Sequence, residues 1–180
     1  MSSLLNPSQE ISFRKRNYAF AAIICLFVFQ FVLSILFFLI SSRVLHIFLK
    51  DLLLIPFNWF IILLKVFCLI ALILFVRKLK IAWSYLSVIS LVQLLNSGIL
   101  IWKFLNLKNL DNTARFYLLD NIVNFVLFIP ILYLLFSKRI LSTFKINSKQ
   151  KLMTIISSIV ILIIYWGALK CFNPFLFKRF

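Results

Sequence analysis

Few side chains in this chain could do chemistry, and the most demanding is Lys65, a cation inside an otherwise uncharged run from Leu52 to Val76. An ammonium near the centre of a bilayer costs about 2.5–3.5 kcal/mol on insertion scales, so it needs a counter-ion, water or a route to an interface. Asp120, Asn121 and Asn124 offer complementary groups in another apolar run. At about 100° per residue these three share one face of a helix. If both helices run the same way, Lys65 lies about 15–20 Å and Asp120 about 6 Å below one boundary, at about 1.5 Å per residue. Side chains tilt toward the helix N-terminus, which aims Lys65 at that cluster and makes a direct or water-bridged pair one expectation. The competing expectation is that Lys65 snorkels to an interface while Asp120 serves the positive end of its own helix.

Other familiar chemistries find no residues to perform them. His46 is the single histidine and has no Cys or Glu neighbour at ligand spacing, so no metal site is expected. No Ser/His/Asp order or nucleophile elbow surrounds any serine. Gly98 and Gly167 are the two glycines, which excludes a phosphate-cradling loop. Cys25, Cys68 and Cys171 show no ligand spacing and read as small apolar fillers, Cys171, just beyond the last span, also as a free thiol or an acylation site. The expectation is a non-enzymatic protein with no catalytic residue and no cofactor.

Hydropathy supplies the elements that must carry these groups. The chain is 64% hydrophobic with a mean hydropathy of +1.10, and its 180 residues include 20 Lys and Arg against 4 Asp and Glu. An ordinary soluble domain is about 45–50% apolar, so lipid must surround most side chains here. A bilayer core of about 30 Å takes about 20 helical residues per crossing. The stretches Tyr18–Ile40, Leu52–Val76, Ile81–Trp102, Phe116–Phe136 and Leu152–Leu169 approach that length. The fold expected is all-α, a polytopic membrane bundle of about five transmembrane helices. It forms one integral domain over residues 1–180, with 1–17 as a short cytoplasmic tail.

The first stretch exceeds the about 7–15 apolar residues of a cleavable signal and is expected to remain as an anchor. Pro130 is expected to kink the fourth, and the fifth is near the lower length limit. The third stretch is the least oily. Its Ser84, Ser87, Ser90, Ser97 and Gly98 fall on one half of the helix, where small and hydroxyl side chains allow close helix packing. A substrate path is the alternative use of that face. The first and fifth stretches read as lipid-facing scaffold.

A formal charge of +16 on a soluble chain would suggest nucleic acid. Here the charge is divided among short loops, which excludes that partner and assigns the cations to orientation and anionic lipid headgroups. Arg14–Arg16, Arg77–Lys80 and Lys138–Lys151 form compact clusters on one side and outnumber the scattered cations on the other. The N-terminus is therefore expected in the cytoplasm. Trp59, Trp83, Trp102 and Trp166 lie near span ends, as interfacial anchors do.

The run Tyr133-Leu-Leu-Phe-Ser137-Lys138-Arg139-Ile140-Leu-Ser-Thr143-Phe144 resembles the end of a family of small bacterial inner-membrane proteins, domain of unknown function 2569. That family has a similar Tyr-x-x-x-Ser-Lys-Arg-Val-x-x-Thr-Phe sequence after its last helix, an Arg ahead of that helix that Arg115 matches, and a basic turn similar to Arg77-Lys78-Leu79-Lys80. The resemblance covers residues 15–147. It implies a bacterial inner-membrane location and a four-span core, and carries over no site residue; the fifth span has no counterpart in the family.

Three functions remain open. The first is an accessory or interaction protein that packs against another membrane protein or itself; the second is a small transporter or channel with a polar path near Lys65 and Asp120. The third is an immunity protein against a pore-forming bacteriocin, a class that is also small, basic and polytopic.

Overall fold

Two glycines and four prolines leave long runs of Leu, Ile, Phe and Val free to close helical backbone bonds. In hydrocarbon, where no water competes, those bonds are obligatory. The computed structural model describes residues 7–44, 56–106 and 112–172, with side chains over 17–37, 40, 66–106 and 115–167. Among the described residues all regular structure is helical: α1 Pro7–Val44, α2 Pro56–Val76, α3 Lys80–Leu105, α4 Asn112–Leu135, α5 Lys138–Thr143 and α6 Ser148–Phe172. Among the described residues four stretches are long and apolar enough to cross a membrane, Asn17–Phe37, Lys80–Leu105, Arg115–Leu135 and Ser148–Gly167, and Val66–Val76 is a shorter apolar stretch within α2.

Three boundaries differ from expectation. α1 begins at Pro7, inside the stretch expected to be a tail, with proline at the helical position where its missing N–H does no harm. The fifth crossing starts earlier because Asn147 and Gln150 form a capping box. Asn147 Oδ1 accepts from the Gln150 amide at 2.8 Å and Gln150 Oε1 accepts from the Asn147 amide at 3.1 Å. The basic segment after α4 is not an open loop but α5, opened by Ser137, whose Oγ accepts from the Ile140 amide at 3.5 Å and donates to the Leu134 carbonyl at 2.7 Å. Ile140, Leu141 and Phe144 are buried, which folds this segment back onto the bundle. α4 continues as one helix through Pro130.

Two turns are built alike. After α2 the Lys78 amide donates to the Phe75 carbonyl at 2.9 Å and the Leu79 amide to Leu74 at 3.2 Å. After α5 the Lys145 amide donates to Ser142 at 3.2 Å and the Ile146 amide to Leu141 at 2.9 Å. Both are Schellman closures, and each places a lysine in the left-handed region, Lys78 at φ 59° and Lys145 at φ 53°. Glycine usually fills that position, since a Cβ there costs about 1–2 kcal/mol.

Pairings along the helices fix the arrangement. Phe37 meets Phe116 at 5.3 Å and Phe27 meets Phe128 at 6.4 Å between ring centroids, so α1 and α4 run antiparallel. α3 also runs antiparallel to α4. Near its start the Trp83 indole donates to the Leu135 carbonyl at 2.9 Å, and near its end a Cβ on Gly98 would lie 3.4 Å from the Phe125 ring. α6 leaves the same end as α3 and runs beside it, until Lys103 Nζ sits 4.3 Å from the Trp166 ring centroid. α3 is thus the central helix, touching α2, α4 and α6.

The apolar core lies toward one end. Phe20, Phe75 and Phe144 gather there, with Phe75 and Phe144 stacked at 4.8 Å, and Ile23, Phe27, Trp83, Leu86, Phe128, Ile131 and Leu135 continue it. The same end carries Arg77, Lys78, Lys80, Lys138, Arg139, Lys145, Lys149 and Lys151. Trp83, expected as an interfacial anchor, is fully buried in this core. Its N–H instead satisfies a carbonyl in the last turn of α4, where no intrahelical donor remains. Trp102 is exposed.

Candidate functional site

Hydroxyl side chains are buried alongside the apolar core while large aliphatic side chains face outward. Ser87, Ser90 and Ser97 of α3 and Thr154 and Ser158 of α6 are buried, while Ile73, Val126, Ile163 and Ile164 are 59–66% exposed. Water would favour the reverse, whereas hydrocarbon rewards it: hydroxyls turn inward to backbone acceptors and aliphatic side chains face out. Ser90 donates to the Leu86 carbonyl at 2.7 Å, Thr154 to Gln150 at 2.9 Å and Ser158 to Thr154 at 2.7 Å. Ser87 Oγ and Asn96 Oδ1 have no hydrogen-bond partner among the described residues. The small-residue stretch is therefore distributed. Ser87, Ser90, Ser97 and Gly98 lie inside the bundle, and Ser84 is half-buried on the wall of a groove.

The second polar feature joins α1 to α4. Gln30, buried on α1, donates from its amide nitrogen to Ser34 Oγ at 2.9 Å and to Asn124 Oδ1 at 3.2 Å. Ser34 Oγ donates to the Gln30 carbonyl at 2.9 Å, and Asn124 passes the chain on by donating to Asp120 Oδ1 at 3.1 Å. Donors thus point along Gln30, Asn124 and Asp120 in one direction, ending on the carboxylate, and each bond polarises the next. Asn121 stands apart: it is buried and donates to the Tyr117 carbonyl of its own helix at 2.7 Å.

Of the four residues expected to form an intramembrane cluster, Asp120 and Asn124 are brought together. Lys65 belongs to α2 and Cys171 to α6, but their side chains lie outside the described part of the structure, as do the Trp59 side chain and residues His46, Asp51 and Asp111. Gln30 and Ser34 went unweighed because the first span read as scaffold. The available signal was a pair of polar residues four apart in an apolar helix, matched by another such pair, Asp120 and Asn124. Thr154 and Ser158 repeat that signal on α6, so neither terminal span is scaffold alone.

The groove is the third feature. It holds about 370 Å³ along α3, lined by Ser84, Tyr85, Val88, Val92 and Gln93 with Ile161 of α6 across from them. Residues 84, 85, 88, 92 and 93 recur at helical spacing and form one stripe. Gln93 is half-buried near the middle of α3, and its amide makes no hydrogen bond to any described group. Among the described residues no group of three or more His, Cys, Asp or Glu could hold a metal. Comparison with known proteins finds no matching family model, no matching curated protein and no matching solved structure.

Proposed function

We propose that this is a multi-pass protein of a bacterial inner membrane, with its N-terminus in the cytoplasm, that works without catalysis by packing against another transmembrane helix. The observation that carries this reading is Gln93 in its groove. A carboxamide facing hydrocarbon is unfavourable until it finds a donor and an acceptor, and a helix laid along α3 would supply both. The occupant is a transmembrane helix with an amide or hydroxyl opposite Gln93. A second copy of this chain meets that requirement, because an amide both donates and accepts and two Gln93 side chains across a two-fold axis satisfy each other. Cysteine placed at Val92 should cross-link to a partner or to a second copy in native membranes. Purification from mild detergent that returns monomer alone, with no cross-link, overturns the reading.

The orientation rests on the cations gathered at the core end of the bundle, which would meet the cytoplasmic headgroups. The resemblance of residues 15–147 to domain of unknown function 2569 belongs to the same proposal. What supports it is that the residues of the shared run act together, Ser137 opening α5 and Phe144 closing the core. A small transporter or channel is the second reading, favoured by the directed chain from Gln30 to Asp120. Proteoliposomes that show no ion flux above protein-free vesicles, for the native chain and Asp120→Asn alike, remove it.

A further inference from the structure

We propose that the crevice between α1 and α2 at the basic end is a binding site for an anionic phospholipid, which takes an acyl chain along its wall and a phosphate at its mouth. This rests on the bilayer placement proposed above. The crevice holds about 280 Å³ and is lined by Asn17, Phe20, Ala21, Ile24, Val76 and Lys78. Phe20, Ala21, Ile24 and Val76 form a continuous apolar wall. From Asn17 to Ile24 it extends about 10 Å along α1 at about 1.5 Å per residue. Polar groups appear at the mouth alone, where the Asn17 amide and the Lys78 ammonium are both exposed. An ammonium and an amide offer an anionic phosphate donors that a zwitterionic headgroup uses less well, because its own cation opposes the lysine.

The packing around the crevice sets it apart from an ordinary gap between helices. Its wall is fixed, since the Phe20 ring packs 4.9 Å from Phe75 and 5.7 Å from Phe144, both of them buried. Its cation, Lys78, sits at φ 59° in the turn that closes α2, so its ammonium is carried on the residue next to the crevice wall. Lys145 is the internal comparison, a lysine in the same conformation at the same end that does not line the crevice.

The full-length protein is reconstituted into phosphatidylcholine vesicles doped with phosphatidylglycerol, extracted in mild detergent, and its retained lipid read by native mass spectrometry. The native chain should retain phosphatidylglycerol over phosphatidylcholine. Lys78→Gly removes the ammonium while relaxing the backbone, so it folds at least as well, and it should retain about fivefold less, the worth of one surface lysine on an anionic lipid. Ala21→Trp, which fills the wall, should also lose retention, while Lys145→Gly should not. Equal losses in Lys78→Gly and Lys145→Gly overturn the site in favour of diffuse charge. Displacement by soluble glycerol phosphate as effective as by phosphatidylglycerol overturns the lipid in favour of free phosphate. Carbonate extraction of the native chain from membranes tests the bilayer placement separately.

Discussion

Replacing Gln30 by leucine removes the one described side-chain hydrogen bond between α1 and α4, with little change in volume. Gln30 gives its amide protons to Ser34 Oγ and Asn124 Oδ1, so the leucine leaves both acceptors without that donor. An interhelical hydrogen bond in a membrane protein is worth about 0.6 kcal/mol on average and about 1.7 at most. An acceptor left unsatisfied in a buried site adds about 1–3 kcal/mol. Because Asn124 is half-buried and its bond to Asp120 survives, the expected net loss for Gln30→Leu is ~1–2 kcal/mol. Asn124→Leu should lose somewhat more, since it also severs the bond to Asp120. The double variant should lose less than the two single losses together, by a coupling of ~0.6–1.7 kcal/mol. Reversible unfolding of the purified protein in mixed micelles, followed by helical circular dichroism, measures all three. A coupling below ~0.3 kcal/mol refutes the reasoning, because independent sites normally add within that margin.

Trp83→Phe should destabilise by ~2 kcal/mol in the same assay, since it strips the donor from the Leu135 carbonyl inside the core. Lys145→Gly should stabilise by ~0.5–1 kcal/mol, the left-handed strain relieved less the extra entropy of unfolded glycine. Asn147→Ala should cost ~1 kcal/mol by opening the capping box of α6. Gly98→Ala should be tolerated, its Cβ meeting the Phe125 ring at an ordinary 3.4 Å, whereas Gly98→Leu should force α3 from α4 and cost ~1–3 kcal/mol, read as a lowered thermal midpoint.

Span positions were legible because crossing a bilayer is a requirement of local length and composition. The four long apolar helices fall where the hydropathy puts them, and the Val66–Val76 stretch lies in the second. Boundaries were less legible where side chains decide them. Asn147 and Gln150 are separated by the capping-box interval, yet the charges around them made the segment read as loop, and Ser137 likewise opens a helix that basic residues disguised. Asp120 with Asn124 was readable as a four-residue interval on one helix; its partner Gln30, 94 residues from Asn124 in sequence, was not.

From its sequence alone the chain is determined to be helical, built of stretches apolar enough to cross a membrane, and basic in its connections, because each of these depends on residues counted within one segment. Which helix faces which is a property of the tertiary structure. It turned Trp83 from an anchor into a core donor, put Gln30 against Asn124, and left Gln93 facing a groove. In a helix whose every side is apolar enough for lipid, hydrophobicity does not choose the packed face. Shape, the few polar groups and their hydrogen bonds choose it, and these become visible once two helices are side by side.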